Sequence, residues 1–242
     1  MQVLVPDTYP GFKCIADACR HSCCIGWEID IDPDTLHHYR RMGGTLGEKL
    51  NRCISRSDEP HFILTEDEKC PFLTETNLCE IILQAGESAL CQICADHPRF
   101  RNYWSDRIEM GLGLACEEAG RLILSADHPL RLIRLGDDAS EPEEESGAEE
   151  KALLGLRNRL LAAVPENGPA ARLKEYLIYR HIADALYDGL LENRIRFVQA
   201  AFEAITSGWD GESLPDLVER ARQFSNEIEY DDEKLSAAIL DS

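Results

Sequence analysis

The chain has 242 residues, ten cysteines and a formal net charge of −20. Its length is sufficient to bury a hydrophobic core without disulfides, and its negative charge disfavours a nucleic-acid partner, because neutralising phosphates needs clustered Lys and Arg. No basic segment followed by an apolar run opens the sequence, and no apolar run reaches the roughly 18 residues of a membrane span. We therefore expect a cytoplasmic protein with no membrane partner.

All ten cysteines lie between Cys14 and Cys116, in the first half of the chain. Thiols stay reduced in the cytoplasm, so their clustering favours a metal or iron–sulfur site over disulfides. Ten cysteines in this length are also below the roughly 8–10% of small disulfide scaffolds.

Few regular elements are predicted between these cysteines. Asp32, which precedes a proline, is typical of an N-cap and predicts a helix over residues 33–42. Alternating patterns at residues 61–65 and 107–111 predict short strands of a small sheet. A further helix is expected to start near Cys116, because two glutamates follow it and favour a first turn.

The second half of the chain has an acidic start and then helical periodicity. Residues 137–150 hold eight acidic side chains and no basic one, which predicts a solvated linker or loop. Beyond it, apolar residues recur at helical spacing. The pattern predicts a helix from residue 152 that stops at Pro165, one long helix or two in line over residues 169–207, and two more over residues 212–226 and 231–240.

Together these patterns predict a mainly α protein. The expected parts are an irregular cysteine-cluster domain with small β elements, residues 1–136, the acidic linker or loop, residues 137–150, and a helical C-terminal domain, residues 151–242.

The spacing of the cysteines indicates distributed ligands. Zinc ribbons and fingers show two close ligand pairs, whereas this chain has one Cys-x2-Cys pair, Cys91 and Cys94. Ligands brought together by the fold suit an iron–sulfur cluster or more than one ion, and the spacing does not say which. Cys53 belongs to no cluster and is expected to be a packing residue.

Several motif blocks resemble the flagellin lysine-N-methylase family, within the wider group of YkgJ-like zinc- or iron-chelating cysteine-cluster proteins. The first block is Phe-Lys-Cys-Ile-Ala-Asp-Ala-Cys-Arg-His-Ser-Cys-Cys-Ile-Gly-Trp, which starts at Phe12. Three later blocks follow in the family's order: Cys-Pro-Phe-Leu from Cys70 with Leu-Cys at Cys79, Cys-Ala-Asp-His-Pro-Arg from Cys94, and Leu-Ala-Cys-Glu-Glu-Ala around Cys116. His97 departs from the family, which commonly has an aromatic residue there.

This resemblance implies an enzyme that transfers methyl groups from S-adenosylmethionine to lysine ε-amines of flagellin, its protein partner. It also implies a [4Fe–4S] cluster, with zinc as the alternative metal. The cysteines that match the family's blocks are the predicted ligands: Cys14, Cys19, Cys23, Cys24, Cys70, Cys79, Cys94 and Cys116.

Two other functions stay open at the level of the sequence. One is a non-catalytic zinc- or iron-binding module that is structural or binds a partner, and the other is a thiol redox sensor built on Cys91 and Cys94. The sequence shows neither the Cys-x3-Cys-x2-Cys triplet of radical enzymes nor a Gly-rich dinucleotide turn. It assigns no catalytic residue and no S-adenosylmethionine site.

Overall fold

The computed structural model describes residues 1–139, 147–165 and 167–242. By its contacts the chain divides into two compact units. We call residues 14–97 the cysteine unit, and residues 1–13 together with 98–242 the sheet–helix unit. The bounds of these two units differ from those of the parts predicted from the sequence. That the predicted parts fold as separate domains stays a prediction. Residues 140–146 of the predicted acidic linker lie outside the described residues.

Helices dominate both units, and one small sheet accompanies them, which confirms the predicted mainly α class. Within the described ranges, no helix is long and apolar enough to cross a membrane.

The cysteine unit contains four short helices around a small apolar core. They are α1 (Pro33–Arg41), α2 (Gly44–Cys53), α3 (Glu80–Ala85) and α4 (Gln92–Asp96). The predicted start of α1 is confirmed, since the Asp32 side chain accepts a hydrogen bond from the backbone N–H of Thr35. The core is centred on Ile29, Leu50 and Phe62.

The strand predicted over residues 61–65 is wrong. His61 forms a single bridge to Asp30, and Phe62 forms one to Ile54. Because the two bridges go to different segments, no continuous ladder forms.

The sheet–helix unit is built on four strands. They are β1 (Gln2–Pro6), β2 (Arg99–Tyr103), β3 (Arg107–Leu112) and β4 (Leu132–Asp137), in the order β2-β3-β1-β4. β1 runs parallel to β3, and the other two pairings are antiparallel. The predicted strand at residues 107–111 is confirmed as β3.

Seven helices complete this unit in the described residues. They are α5 (Glu117–Leu124), α6 (Ala148–Ala162), α7 (Pro169–His181), α8 (Ala185–Asp188), α9 (Leu191–Thr206), α10 (Leu214–Phe224) and α11 (Asp232–Leu240). The helix predicted near Cys116 is confirmed, with that cysteine as its N-cap. The helices predicted before Pro165 and over the last thirty residues are confirmed as well.

The prediction of one helix, or two in line, over residues 169–207 is wrong. α7 and α9 pack side by side and antiparallel, with Lys174 Nζ donating to Gln199 Oε1 and Arg194 Nη1 to the His181 carbonyl. The chain reverses at Gly189, whose φ of 70° is in the left-handed region that favours glycine. The apolar faces of α7 and α9 are buried against each other. The segment therefore folds into two antiparallel helices and not into one continuous helix.

Candidate metal centre

Six thiols from three segments of the cysteine unit interact with one another. The first segment is the loop that holds Cys23 and Cys24, and the third is the start of α4, which holds Cys91 and Cys94. Between them in sequence, Cys70 and Cys79 flank a tight turn. The interacting thiols are Cys23, Cys24, Cys70, Cys79, Cys91 and Cys94.

Backbone hydrogen bonds hold these segments together. The Cys70 N–H donates to the Cys24 carbonyl at 2.8 Å, and the residues on either side, Ile25 and Lys69, form a β-bridge. Leu73 and Cys79 form a second bridge, after which Cys79 serves as the N-cap of α3. These bonds bring together segments whose cysteines are far apart in sequence.

The thiols at the start of α4 form a hydrogen-bonded pair. The Cys94 thiol donates to Cys91, which lowers the pKa of Cys91 and raises that of Cys94. A similar bond between Cys23 and Cys24 raises the pKa of Cys23. A metal ion that bound these thiols would displace their protons, because the thiolate is the form that ligates a metal.

Between the segments, charges on the thiols would repel one another. Burial raises the pKa of Cys70 to about 11. Burial, followed by the charges of Cys23 and Cys91, raises that of Cys79, and the charge of Cys70 adds to the increase at Cys94. Several thiolates can therefore coexist here only with a compensating cation. A set of soft thiolate donors around that charge fits an iron–sulfur cluster or a soft metal ion.

The sulfurs are not spaced for a single ion. A tetrahedral zinc ion, with Zn–S bonds of about 2.3 Å, needs sulfurs about 3.8 Å apart. In the part of the chain that the structure describes, no three thiol sulfurs lie within 4.8 Å of one another. The three ligand-type side chains that do meet this distance are Glu28, Asp30 and His61, all on the surface or half-buried.

The other three predicted ligands, Cys14, Cys19 and Cys116, stay predictions. Cys14 is exposed, and its Sγ accepts a hydrogen bond from the Ala16 N–H, while Cys19 is half-buried five residues later. Cys116 belongs to the sheet–helix unit, as the N-cap of α5. Cys53, predicted to be a packing residue, ends α2 and packs against the unit's core.

Cys91 was not among the predicted ligands, although the structure places it against Cys94. Its signal in the sequence was the Cys-x2-Cys spacing itself. At the start of a helix this spacing brings both thiols to one side, because residues three apart are neighbours on a helix surface.

Two aromatic side chains flank the thiols. Trp27 Nε1 donates to the Cys23 carbonyl at 2.8 Å, and its ring lies 6.3 Å from that of His97. The Tyr39 hydroxyl donates to the Ala89 carbonyl at 2.7 Å. Burial, and then the charges of Cys91 and its neighbours, raise the pKa of Tyr39, so it stays a neutral donor that holds the loop before α4.

Comparison with known proteins finds three relatives, all from Salmonella. The chain is 29% identical over 137 residues to lysine-N-methylase of Salmonella typhimurium and, equally, to that of Salmonella choleraesuis. It is 27% identical over 130 residues to the flagellar biosynthetic protein FliU of Salmonella muenchen. No family model and no solved structure matches.

These matches cover part of each protein. Each spans 51% of this chain, but 32% of the two methylases and 77% of FliU. The chain thus matches about a third of the length of the methylases.

Proposed function

We propose that this chain acts in the methylation of lysine ε-amines on flagellin, with S-adenosylmethionine as methyl donor and a [4Fe–4S] cluster held in the cysteine unit. The observation that carries the proposal is the convergence of six thiols in a chain that is similar to lysine-N-methylases. The cysteine blocks resemble those of the flagellin lysine-N-methylase family and of the wider YkgJ-like group. This resemblance, which stays a prediction, also supports the proposal.

Sulfur spacing favours the iron–sulfur cluster over a single zinc ion. A mononuclear site needs three or four sulfurs around one point, which the described thiols do not provide. A [4Fe–4S] cluster takes one thiolate at each of four separate irons, so its ligands stand further apart. Six thiols also exceed the four that such a cluster needs, so two of them have another role.

The protein's own residues prepare the site for a positively charged group. The thiols of Cys91 and Cys94 are already hydrogen-bonded to each other, and burial raises the pKa of Cys70 to about 11, so that its proton leaves only when a metal ion displaces it. The bonds from Trp27 and Tyr39 fix the two loops that carry the thiols. When bound, the cluster would supply a structural crosslink between the three segments and a centre for electron transfer.

Methyl transfer adds a requirement for the substrate amine. A lysine ε-amine is protonated at neutral pH and attacks a methyl group only after losing that proton. The enzyme therefore needs a site that accepts a cationic side chain and a group that removes its proton.

A second function has its own support. The chain matches only 32% of the methylases' length, whereas the six interacting thiols lie in one compact unit, which could hold a metal without methyl transfer. It would then be a non-catalytic zinc- or iron-binding module that binds a partner.

The experiment is anaerobic purification followed by metal analysis and a methyl-transfer assay. We expect brown protein with about four irons and four sulfides per chain, and transfer of label from S-adenosylmethionine to flagellin of the same source. Colourless protein with stoichiometric zinc would contradict the cluster. Cluster-loaded protein that transfers no label would instead support the binding module.

Matched cysteine variants test the assignment of the site. Cys79→Ser should lower iron content at least twofold, because its thiol belongs to the interacting set. Cys53→Ser is the control, since Cys53 packs against the core of the same unit at the end of α2, and it should leave iron content unchanged. The reverse result would overturn the site.

A further inference from the structure

Three side chains of the cysteine unit form a second group of metal-ligand type, and this group contains no sulfur. They are Glu28, Asp30 and His61, and one ligand atom of each, a carboxylate oxygen or a ring nitrogen, lies within 4.8 Å of the other two. We propose that this group binds a divalent first-row transition-metal ion through one imidazole nitrogen and two carboxylate oxygens. The inference goes beyond the proposed function and does not depend on it, because none of these ligands belongs to the interacting thiols.

Backbone pairing holds the two segments that carry the group in register. Asp30 and His61 form an antiparallel β-bridge, beside which the Phe62 N–H donates to the Ile29 carbonyl at 3.0 Å. Side chains alternate between the two faces of such extended segments. Ile29 and Phe62 are buried in the core of the unit, so the residues next to them, Glu28, Asp30 and His61, are directed away from that core.

Hydrogen bonds determine which nitrogen of His61 faces the carboxylates. Nδ1 lies 2.9 Å from the Glu59 carbonyl oxygen and 3.2 Å from Ser55 Oγ. Because a carbonyl oxygen can only accept, Nδ1 donates to it and carries the proton of the neutral ring. Nε2 then has a free electron pair, and it lies 3.5 Å from Glu28 Oε2. Histidines that ligate metals are oriented in the same way, by a bond from the other ring nitrogen to a carbonyl or carboxylate.

A cation between these atoms would relieve an unfavourable approach. Nε2 of the neutral ring and Glu28 Oε2 are both electron-pair donors, and their separation of 3.5 Å is longer than a hydrogen bond. Asp30 adds a second carboxylate, so the group carries two negative charges when His61 is neutral. In a tetrahedral site with metal–ligand bonds of about 2.1 Å, two ligand atoms lie about 3.4 Å apart. The observed separation of Nε2 and Oε2 therefore fits two ligands of one ion.

The donor set indicates the class of ion. Imidazole nitrogen favours transition metals over Mg²⁺ and Ca²⁺, and carboxylate oxygens are good ligands of Mn²⁺. The Glu28 side chain is 62% exposed, so water can complete the coordination of a bound ion. Mn²⁺ is the most selective probe in this protein, because thiolates, which bind zinc well, are poor ligands for it.

Titration of Mn²⁺ into the intact, full-length protein tests this inference. Electron paramagnetic resonance measures the free ion, and the buffer contains physiological salt and an excess of Mg²⁺ over Mn²⁺. The salt screens the acidic surface, and Mg²⁺ occupies sites that offer only oxygen ligands. We expect one saturable Mn²⁺ site per chain. Absence of a saturable site would overturn the inference.

Variants locate the site. Glu28→Gln, Asp30→Asn and His61→Asn should each weaken Mn²⁺ binding by roughly tenfold or more. The matched controls are Glu48→Gln on α2 and His38→Asn on α1, which change exposed residues of the same unit outside the group, and both should bind as the unmodified protein does.

Two results would contradict this location. Equal weakening by Asp30→Asn and Glu48→Gln would show that general negative charge attracts the ion, and unchanged binding in all three ligand variants would place the ion elsewhere. If His61→Asn failed to fold, the two carboxylate variants would still decide, because both side chains are exposed.

The outcomes separate this inference from the proposed function. Mn²⁺ binding is measured without S-adenosylmethionine and without flagellin. A saturable site that needs Asp30 and His61, in protein that transfers no methyl groups, would leave the inference standing and contradict the transferase. Methyl transfer by protein that has no such site would do the opposite.

Discussion

Glu229 is a charged residue inside the helical part of the sheet–helix unit. It is 5% exposed, and its carboxylate accepts hydrogen bonds from His181 Nε2 at 2.7 Å and from the Tyr176 hydroxyl at 2.9 Å. Arg180 Nε lies 3.6 Å from it. Burial alone would raise the pKa of Glu229, but the charge of Arg180 and the bond from His181 outweigh it and lower the pKa to about 2.

This carboxylate makes the unit's stability dependent on pH. Because the folded-state pKa lies below the ordinary value of 4.5, its contribution is complete above pH 4.5 and is lost as the pH falls towards 2. We expect a loss on the order of 3 kcal/mol in the free energy of unfolding across that window. Burial also lowers the pKa of His181, which adds a loss that begins below pH 6.5. Urea unfolding at a series of pH values measures both.

Glu229→Gln is the control for this prediction. The variant should be less stable at pH 7, since it leaves Arg180 without its buried counter-ion, and should lose the part of the pH dependence between 4.5 and 2. An unchanged pH profile in Glu229→Gln would assign the dependence to other groups. No sequence pattern identified Glu229, because an acidic residue between two amphipathic helices looks like a surface residue until the fold is known.

At the scale of elements, helices with local signals were predictable. α1 has an N-cap aspartate followed by proline, and α5 has acidic residues in its first turn. β1 and β4 were missed because their pairing joins residues more than a hundred positions apart. The reversal at Gly189 was missed for a related reason: apolar spacing continues through it, and only packing of α7 on α9 shows that the helix ends.

The convergence of the thiols also depends on contacts between residues that are far apart in sequence. The Cys-x2-Cys spacing identified Cys91 and Cys94 as a close pair in the sequence. The approach of Cys70 to Cys24, in contrast, depends on the β-bridge between Ile25 and Lys69. The sequence could therefore predict a cysteine-rich site, and the family resemblance a set of ligands, but neither could predict which thiols meet.

Asp32 links two elements of the cysteine unit, and its removal gives a sharp prediction. One carboxylate oxygen accepts from the Thr35 N–H at 2.9 Å to cap α1, and the other accepts from the Gln92 N–H at 2.8 Å, at the start of α4. Asp32→Ala should lower the free energy of unfolding by about 1–2 kcal/mol from the lost N-cap, with more from Gln92. It should also lower iron content, since α4 carries two of the interacting thiols.

Asp34→Ala is the matched control, in the first turn of the same helix. Its carboxylate is exposed, so chemical denaturation should show a change within about 0.5 kcal/mol. Equal destabilisation by the two variants would show that charge near the helix start, rather than the two hydrogen bonds of Asp32, stabilises α1.

At the scale of the whole molecule, the two units differ in what stabilises them. The sheet–helix unit buries a large apolar cluster along α7 and α9 together with the Glu229 ion pairs. The cysteine unit has short helices and a smaller apolar core, of which Cys70 and Cys91 are part. The acidic segment placed the predicted boundary after residue 136, whereas the contacts divide the chain after residues 13 and 97, because the strand pairing of β1 with β3 ties residues 1–13 to the later chain.

This difference predicts which unit is destabilised when the metal is lost. A ligand that binds only the folded state adds its binding free energy to stability, and thiolate-held metals are strongly coupled to folding in this way. Removing iron with bathophenanthroline should therefore increase amide hydrogen exchange in residues 14–97, including the Cys70 N–H that bonds the Cys24 carbonyl. Amides of β1 and β3 should keep their protection, because none of the six interacting thiols lies in these strands. Cys53→Ser, loaded and then stripped in the same way, should reproduce the pattern. Uniform deprotection of both units would show that the metal stabilises the whole chain, and unchanged exchange in residues 14–97 would show that the thiols do not depend on it for their arrangement.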